Sequence, residues 1–316
     1  MRDLFPKRLL QVQEINRKME NNPEAYMEEE NDRYFRELDT LTRRLTAGLR
    51  TRCLVMLSGP SSSGKTTTAL LLRDNLREMG VDAHTVSLDD FYRGRGNAPQ
   101  LEDGSYDYET PEALNLPVLQ HCMESLIREG RADLPMFDFL KGAPSEKTRE
   151  LRIAADSVVI FEGIHALNPV FEQHLPQENL FKIFVNTISP IYDGSDKLLA
   201  RRDIRLVRRL LRDERFRSSP VENTMDMWPQ VTRGEKLYMF PYVDTVDFVI
   251  DTTHAYEPCA FAPELLPLLE AVPADSAYAQ QLSGLREKLA RFIPIPESMI
   301  PHRTLLREFL GGGLYE

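Results

Sequence analysis

Apolar residues recur along the chain with two different rhythms. Between residues 24 and 48, Phe35, Leu38, Leu41 and Leu45 stand at steps of three and four in a highly charged stretch. That spacing predicts one face of an amphipathic helix ending near Gly48. From Cys53 onward, short β-branched or apolar runs alternate with helical patterns: CLVML (53–57), AHTVSL (83–88), SVVIFE (157–162), FKIFV (181–185) and DFVID (247–251). Such runs, separated by helices, predict a parallel sheet covered on both faces. After Pro258 the pattern is helical again, in APELLPLLEAV, YAQQLSGLREKLARFI and RTLLREFLGGG. The texture therefore divides the chain into a helical extension over 1–50, an α/β domain over 51–256 and a helical appendage over 257–316.

Residues 59–66 read GPSSSGKT and fit the pattern G-x-x-x-x-G-K-[ST]. The pattern marks a phosphate cradle only between a strand and a helix. Both are predicted here, a strand ending at Ser58 and a helix from Lys65 whose Ala69, Leu72, Leu76 and Met79 would face the sheet before Gly80 stops it. Gly59 and Gly64 lack a Cβ, so backbone amides through Ser61, Ser62, Ser63 and on to Thr67 can approach phosphate oxygens closely, and the helix N-terminus adds roughly half a positive charge. In this arrangement Lys65 reaches the β- and γ-phosphates of ATP and the Thr66 hydroxyl ligates Mg2+.

Ligands of open parallel sheets bind beyond the C-terminal strand ends. Two acidic positions qualify: Asp89 and Asp90 in SLDDFY, and Glu162 in VVIFEGIH. Phosphoryl transfer to an alcohol needs one carboxylate to accept the hydroxyl proton and another to hold Mg2+. Spacing alone does not choose between Asp89 and Asp90.

Residues 201–217 carry eight arginines. Arg201, Arg205, Arg208 and Arg212 fall at steps of four, three and four, beside an apolar face of Ile204, Val207 and Leu211, with Arg215 and Arg217 at the C-terminal end. A helix of this kind can dock by its apolar side and close over phosphate as a lid; the plainer reading is a basic face paired with nearby acids.

Composition narrows the partners. With 316 residues, 42% of them hydrophobic, the chain can bury a sizeable core. A formal charge of −10 opposes non-specific adhesion to nucleic acid. No apolar run approaches the roughly 20 residues of a membrane span, and MRDLFPKRLLQVQE has no leader pattern, so a cytoplasmic protein without a membrane partner is expected. Cys53, Cys122 and Cys259 lie far apart, away from metal-ligand spacing.

Taken together, these motifs resemble the uridine kinase and phosphoribulokinase group of P-loop kinases over about residues 52–256. GPSSSGKTT resembles its phosphate loop, SLDDFY its S-x-D-x-F-Y segment, YDYETPEAL its substrate loop, LPMFDFLKG its hairpin and RLVRRLLRDERFR its lid. FEGIHALNP, MWPQVTRGE and LLREFLGG are most similar to a bacterial nucleoside kinase-like branch. The resemblance implies a three-layer P-loop NTPase fold with a small substrate hairpin and helical N- and C-terminal extensions. It implies Asp89 as general base, Glu109 at the ribose, Tyr92, Tyr108, Phe137 and Phe139 near the base, and Arg208, Arg212 and Arg217 in the lid. His165 is a further candidate for the pocket. Gly142 and Phe137 stand where pyrimidine-specific members place a histidine and a tyrosine, so the resemblance implies a nucleoside acceptor without fixing its base. Relatives also assemble into oligomers. A pantothenate-like or sugar-phosphate acceptor, or a nucleotide-binding regulator, are the alternatives.

Overall fold

The computed structural model describes residues 8–48 and 51–315; residues 1–7, 49, 50 and 316 of the predicted terminal segments lie outside the described residues. The N-terminal segment forms β1 (Leu10–Gln11), α1 (Val12–Asn21) and the predicted long helix α2 (Pro23–Gly48). There follow β2 (Cys53–Ser58), α3 (Lys65–Glu78), β3 (Ala83–Ser87), α4 (Leu116–Glu129), a hairpin of β4 (Arg131–Asp138) and β5 (Ala143–Arg152), β6 (Val158–Glu162) and β7 (Leu180–Asn186). The remainder is β8 (Ile191–Asp193), β9 (Asp196–Leu199), α5 (Arg201–Arg217), α6 (Val221–Tyr238), β10 (Phe248–Asp251), α7 (Glu257–Glu270), α8 (Ala279–Leu289) and α9 (Arg307–Leu310).

Five strands form the central sheet in the order β10-β7-β2-β6-β3, with every neighbouring pair parallel. In β2, Leu54, Val55, Met56 and Leu57 have no exposed surface, because helices cover both faces and each alternate side chain meets a layer. Val55 and Leu57 join one apolar cluster while Leu54 and Met56 join another, so the two cores lie on opposite sides of the sheet. The first cluster runs without a break from Leu38 and Leu41 of α2 through Leu72 of α3 to Phe261 of α7 and Phe309 of α9. Met79, expected on the sheet-packing face of α3, is instead 53% exposed, because the helix ends at Glu78 and Met79 is its cap.

Polar contacts fasten the terminal helices to the sheet and the phosphate-loop helix. The Tyr34 hydroxyl of α2 lies 2.8 Å from Thr68 Oγ1 of α3. Arg33 donates to the carbonyl of Asp251, the last residue of β10, at 3.0 Å and to that of Thr253, two residues on, at 2.7 Å. These bonds satisfy carbonyl groups left open where the sheet stops.

Candidate active site

The turn between β2 and α3 is braced from beneath by its backbone carbonyls. Arg205 Nη1 donates to Ser61 O at 3.0 Å, Arg208 Nη1 to Ser62 O at 3.3 Å, and Thr252 Oγ1 to Ser63 O at 2.7 Å. Glu235 accepts the Ser61 amide at 2.9 Å and holds Arg205 in a bidentate pair. Gly64 takes a left-handed φ of +88°, and a Cβ there would lie 2.7 Å from Leu305 Cδ1. At Gly59 a Cβ would collide with the Val185 carbonyl at 2.1 Å, so packing against β7, rather than phosphate approach, requires that glycine.

Above the turn lies a polar cavity of about 330 Å3. It brings together Ser61, Ser62, Ser63, Gly64, Lys65 and Thr66 with Asp89, Tyr92, Glu109, Glu162, Arg212 and Arg217. The Ser62 and Ser63 hydroxyls are buried without hydrogen-bond partners, as a cradle awaiting phosphate oxygens would leave them. Lys65 Nζ folds back onto Pro60 O at 3.1 Å, and burial lowers its pKa. Thr66 Oγ1 stands 3.3 Å from Glu162 Oε1. Burial raises Glu162 to about 7 against the opposing pull of Lys65.

The two acids left undecided by spacing separate clearly. Asp89 opens into the cavity, where the surrounding protein raises its pKa against the charges of Lys65 and Arg217. Asp90 instead accepts the Phe137 amide at 3.2 Å and ties the segment to the hairpin. Glu109 is pushed up to about 7 by burial.

The arginine helix divides differently from its predicted stripe. Arg208, expected in the lid, lies outside the cavity lining and has no exposed surface; its guanidinium is paired with Glu257 and bonded to Thr252 O at 2.7 Å. The cavity receives Arg209 instead, whose Nη1 donates to Ser61 Oγ at 2.8 Å. Arg205, Arg209 and Arg212 are spaced by four and three, as regular a row as the one through Arg208, so periodicity could not choose between them. Arg212 is pushed down to about 10 by burial, with the Arg217 and Arg209 charges acting the same way, and its Nε lacks a hydrogen-bond partner. Buried Asp213 pairs with Arg209 at 2.5 Å, Arg217 at 3.2 Å and Arg212 at 3.6 Å, so one carboxylate gathers three guanidinium groups whose combined charge exceeds its own.

Tyr92 also lines an adjoining cavity of about 350 Å3, with Tyr108, Phe137, Phe139 and Arg95. His165 lines neither: it is buried against Tyr238, with both ring nitrogens unpartnered, and burial beside Lys65 lowers it to about 3. Thr67 does not line the polar cavity; Glu308 of α9 accepts its amide at 3.3 Å and its hydroxyl at 2.7 Å. Glu308, a lining residue of the polar cavity, was missed in the sequence because nothing local connects it to the phosphate loop.

Among the described residues no cluster of three or more His, Cys, Asp or Glu side chains could hold a metal by itself. A hydroxyl and one carboxylate, Thr66 and Glu162, nevertheless fit Mg2+, which keeps several waters and shares phosphate oxygens with its ligands.

A glycine-cornered turn between a central parallel strand and its helix, facing basic and acidic side chains across one cavity, defines a P-loop NTPase fold. The chain belongs to the Phosphoribulokinase / Uridine kinase family, whose model matches residues 54–256. It is 29% identical over 177 residues to the uridine kinase of Lactobacillus johnsonii, covering 55% of this chain and 74% of that one. It is 25% identical over 206 residues to the uridine kinase of Deinococcus deserti, covering 65% and 90%. A candidate fructose transport system kinase from Silicibacter sp. TM1040 superposes with a TM-score of 0.50 at 21% identity, covering 67% of this chain and 98% of that one. The protein is an ATP-dependent small-molecule kinase. No described helix is long and apolar enough to cross a membrane.

Proposed function

We propose that the protein transfers the γ-phosphate of ATP to the 5′-hydroxyl of a nucleoside. One observation carries this reading: Asp89 and Lys65 face the same polar cavity, which Tyr92 joins to an aromatic-walled cavity suited to stacking a flat base. Similarity to uridine kinases supports it. In the reaction the acceptor oxygen forms a bond to γ-phosphorus, the bond from phosphorus to the ADP oxygen breaks, and Asp89 accepts the hydroxyl proton. A carboxyl whose proton affinity is raised by its surroundings suits that role.

Lys65, Arg209, Arg212 and Arg217 balance charge on the transferring phosphoryl group, and Glu109 is placed to orient the sugar hydroxyls. Thr66 and Glu162 would hold Mg2+, which supplies further neutralisation of the phosphate oxygens when bound. Arg208 acts through the loop, holding the Ser62 carbonyl rather than touching phosphate.

A second reading, a sugar-phosphate acceptor, draws on Arg95, a cation in the wall of the aromatic cavity. A coupled assay for ADP release over a panel of nucleosides and sugar phosphates, with Lys65→Ala and Asp89→Asn as controls, tests both. Turnover with nucleosides that both substitutions abolish is expected; turnover confined to phosphorylated sugars would replace the first reading by the second.

A further inference from the structure

A separate apolar cavity of about 240 Å3 lies beside the first turns of α3, on the side where Thr67 points. Its walls include Phe35 of α2, Leu70 of α3, Phe216 of α5 and, from the last segment, Arg303 and Tyr315. The Arg303 guanidinium lies 4.9 Å from the centre of the Phe35 ring. Aromatic faces and guanidinium planes are surfaces on which a flat heteroaromatic ring stacks well. Phe35 and the lining residues from 302 to 315 fall outside the family match.

Thr66 and Glu308 line both this cavity and the polar one, so they form the wall between them. Glu308 sits in that wall as an anion, its Oε2 taking both the amide and the hydroxyl of Thr67. Amides in the first turn of a helix attract anions, and a phosphate chain continuing from Lys65 along that turn reaches the same donor.

We propose that the apolar cavity receives the purine base of the donor nucleotide, and that Glu308 is an internal anion which the donor's phosphates displace from Thr67 on binding. The proposal rests on the phosphotransfer reading above. It makes the terminal segments of the chain the part that recognises the donor base, and Glu308 a built-in competitor of its phosphates.

The test compares ATP with inorganic tripolyphosphate, which has the phosphates without the base, by isothermal titration calorimetry on the full chain. Glu308→Gln is expected to tighten both ligands about fivefold, by weakening the anion that competes for the helix terminus. Leu70→Trp, which fills the cavity, should weaken ATP about tenfold and leave tripolyphosphate unchanged. Phe216→Ala, at a residue 53% exposed and therefore safe for folding, should weaken ATP alone by about fivefold. If both cavity variants bind ATP like wild type, or lose both ligands equally, the base lies elsewhere and the proposal fails. Unchanged or weaker binding of both ligands by Glu308→Gln overturns the competitor role. Failure of the phosphate site itself would look different: tripolyphosphate would then bind equally to wild type and Lys65→Ala.

Discussion

Arg208 and Glu257 form a bidentate pair at 2.6 and 3.0 Å with essentially no exposed surface on either residue. Removing one partner leaves the other charge buried, so Arg208→Ala should lose about 3–5 kcal/mol of stability in urea titrations. Arg212→Ala should instead leave the unfolding midpoint near wild type and lower kcat about 100-fold, because Arg212 lines the cavity and Asp213, 3.6 Å from its Nε, keeps Arg209 and Arg217 as partners. Equal stability losses in the two variants would contradict this division of the helix.

Asp89→Asn keeps the shape of the residue and removes its basicity. The expected result is a fall in kcat of about 100-fold or more with the KM for ATP unchanged. Near-wild-type kcat would move the proton acceptor elsewhere.

Mg2+ dependence should follow Glu162, which takes up protons below about 7. Metal ligation needs the deprotonated carboxylate, so the half-saturating Mg2+ concentration should rise as pH falls through 7. Thr66→Val should raise that concentration about tenfold at any pH in the range. A requirement that stays flat with pH in wild type would separate Glu162 from the metal.

His165 offers a test of the pH dependence of stability. Its folded pKa is about 3 against 6.5 in the unfolded chain, so the unfolded form binds more protons between those values. Stability present above pH 6.5 is therefore lost as pH falls toward 3. His165→Phe keeps a ring against Tyr238 and removes the titration, so its stability relative to wild type should improve on acidification, by about 2–3 kcal/mol between pH 7 and 4. Parallel acid unfolding curves for the two proteins would refute the assignment.

Gly234 of α6 sits so close to Glu109 that an added Cβ would lie 2.4 Å from Glu109 Cβ. Gly234→Ala should therefore displace Glu109 and raise the acceptor KM about tenfold, with the KM for ATP little changed. Equal shifts in both constants would point to general damage rather than a displaced carboxylate.

Local chemistry explains which parts could be read in advance. Each central strand falls within a residue or two of its predicted run, most plainly β2 and β6, which are buried along nearly their whole length and apolar up to Ser58 and Glu162. Ser58 and Lys65 bound the phosphate turn as the pattern requires. Helical spacing, however, places Arg208 and Arg209 equally well, and two buried acids separate them, Glu257 drawing Arg208 beneath the loop and Asp213 holding Arg209 beside the cavity. Glu308 stands 241 residues from Thr67, and α1 is nearly all polar apart from Val12, Ile15 and Met19. Neither contact distance in sequence nor a three-residue apolar stripe gives a pattern strong enough to read.

Leu305 beneath the turn at Gly64 also orders events during synthesis. A ribosome delivers the glycine turn long before the leucine that packs against it, so the nascent cradle at first has only the bracing of Arg205, Arg208 and Thr252. The packing beneath the turn is complete only once residue 305 has been made, and a message truncated before it yields a chain that carries the motif without its floor.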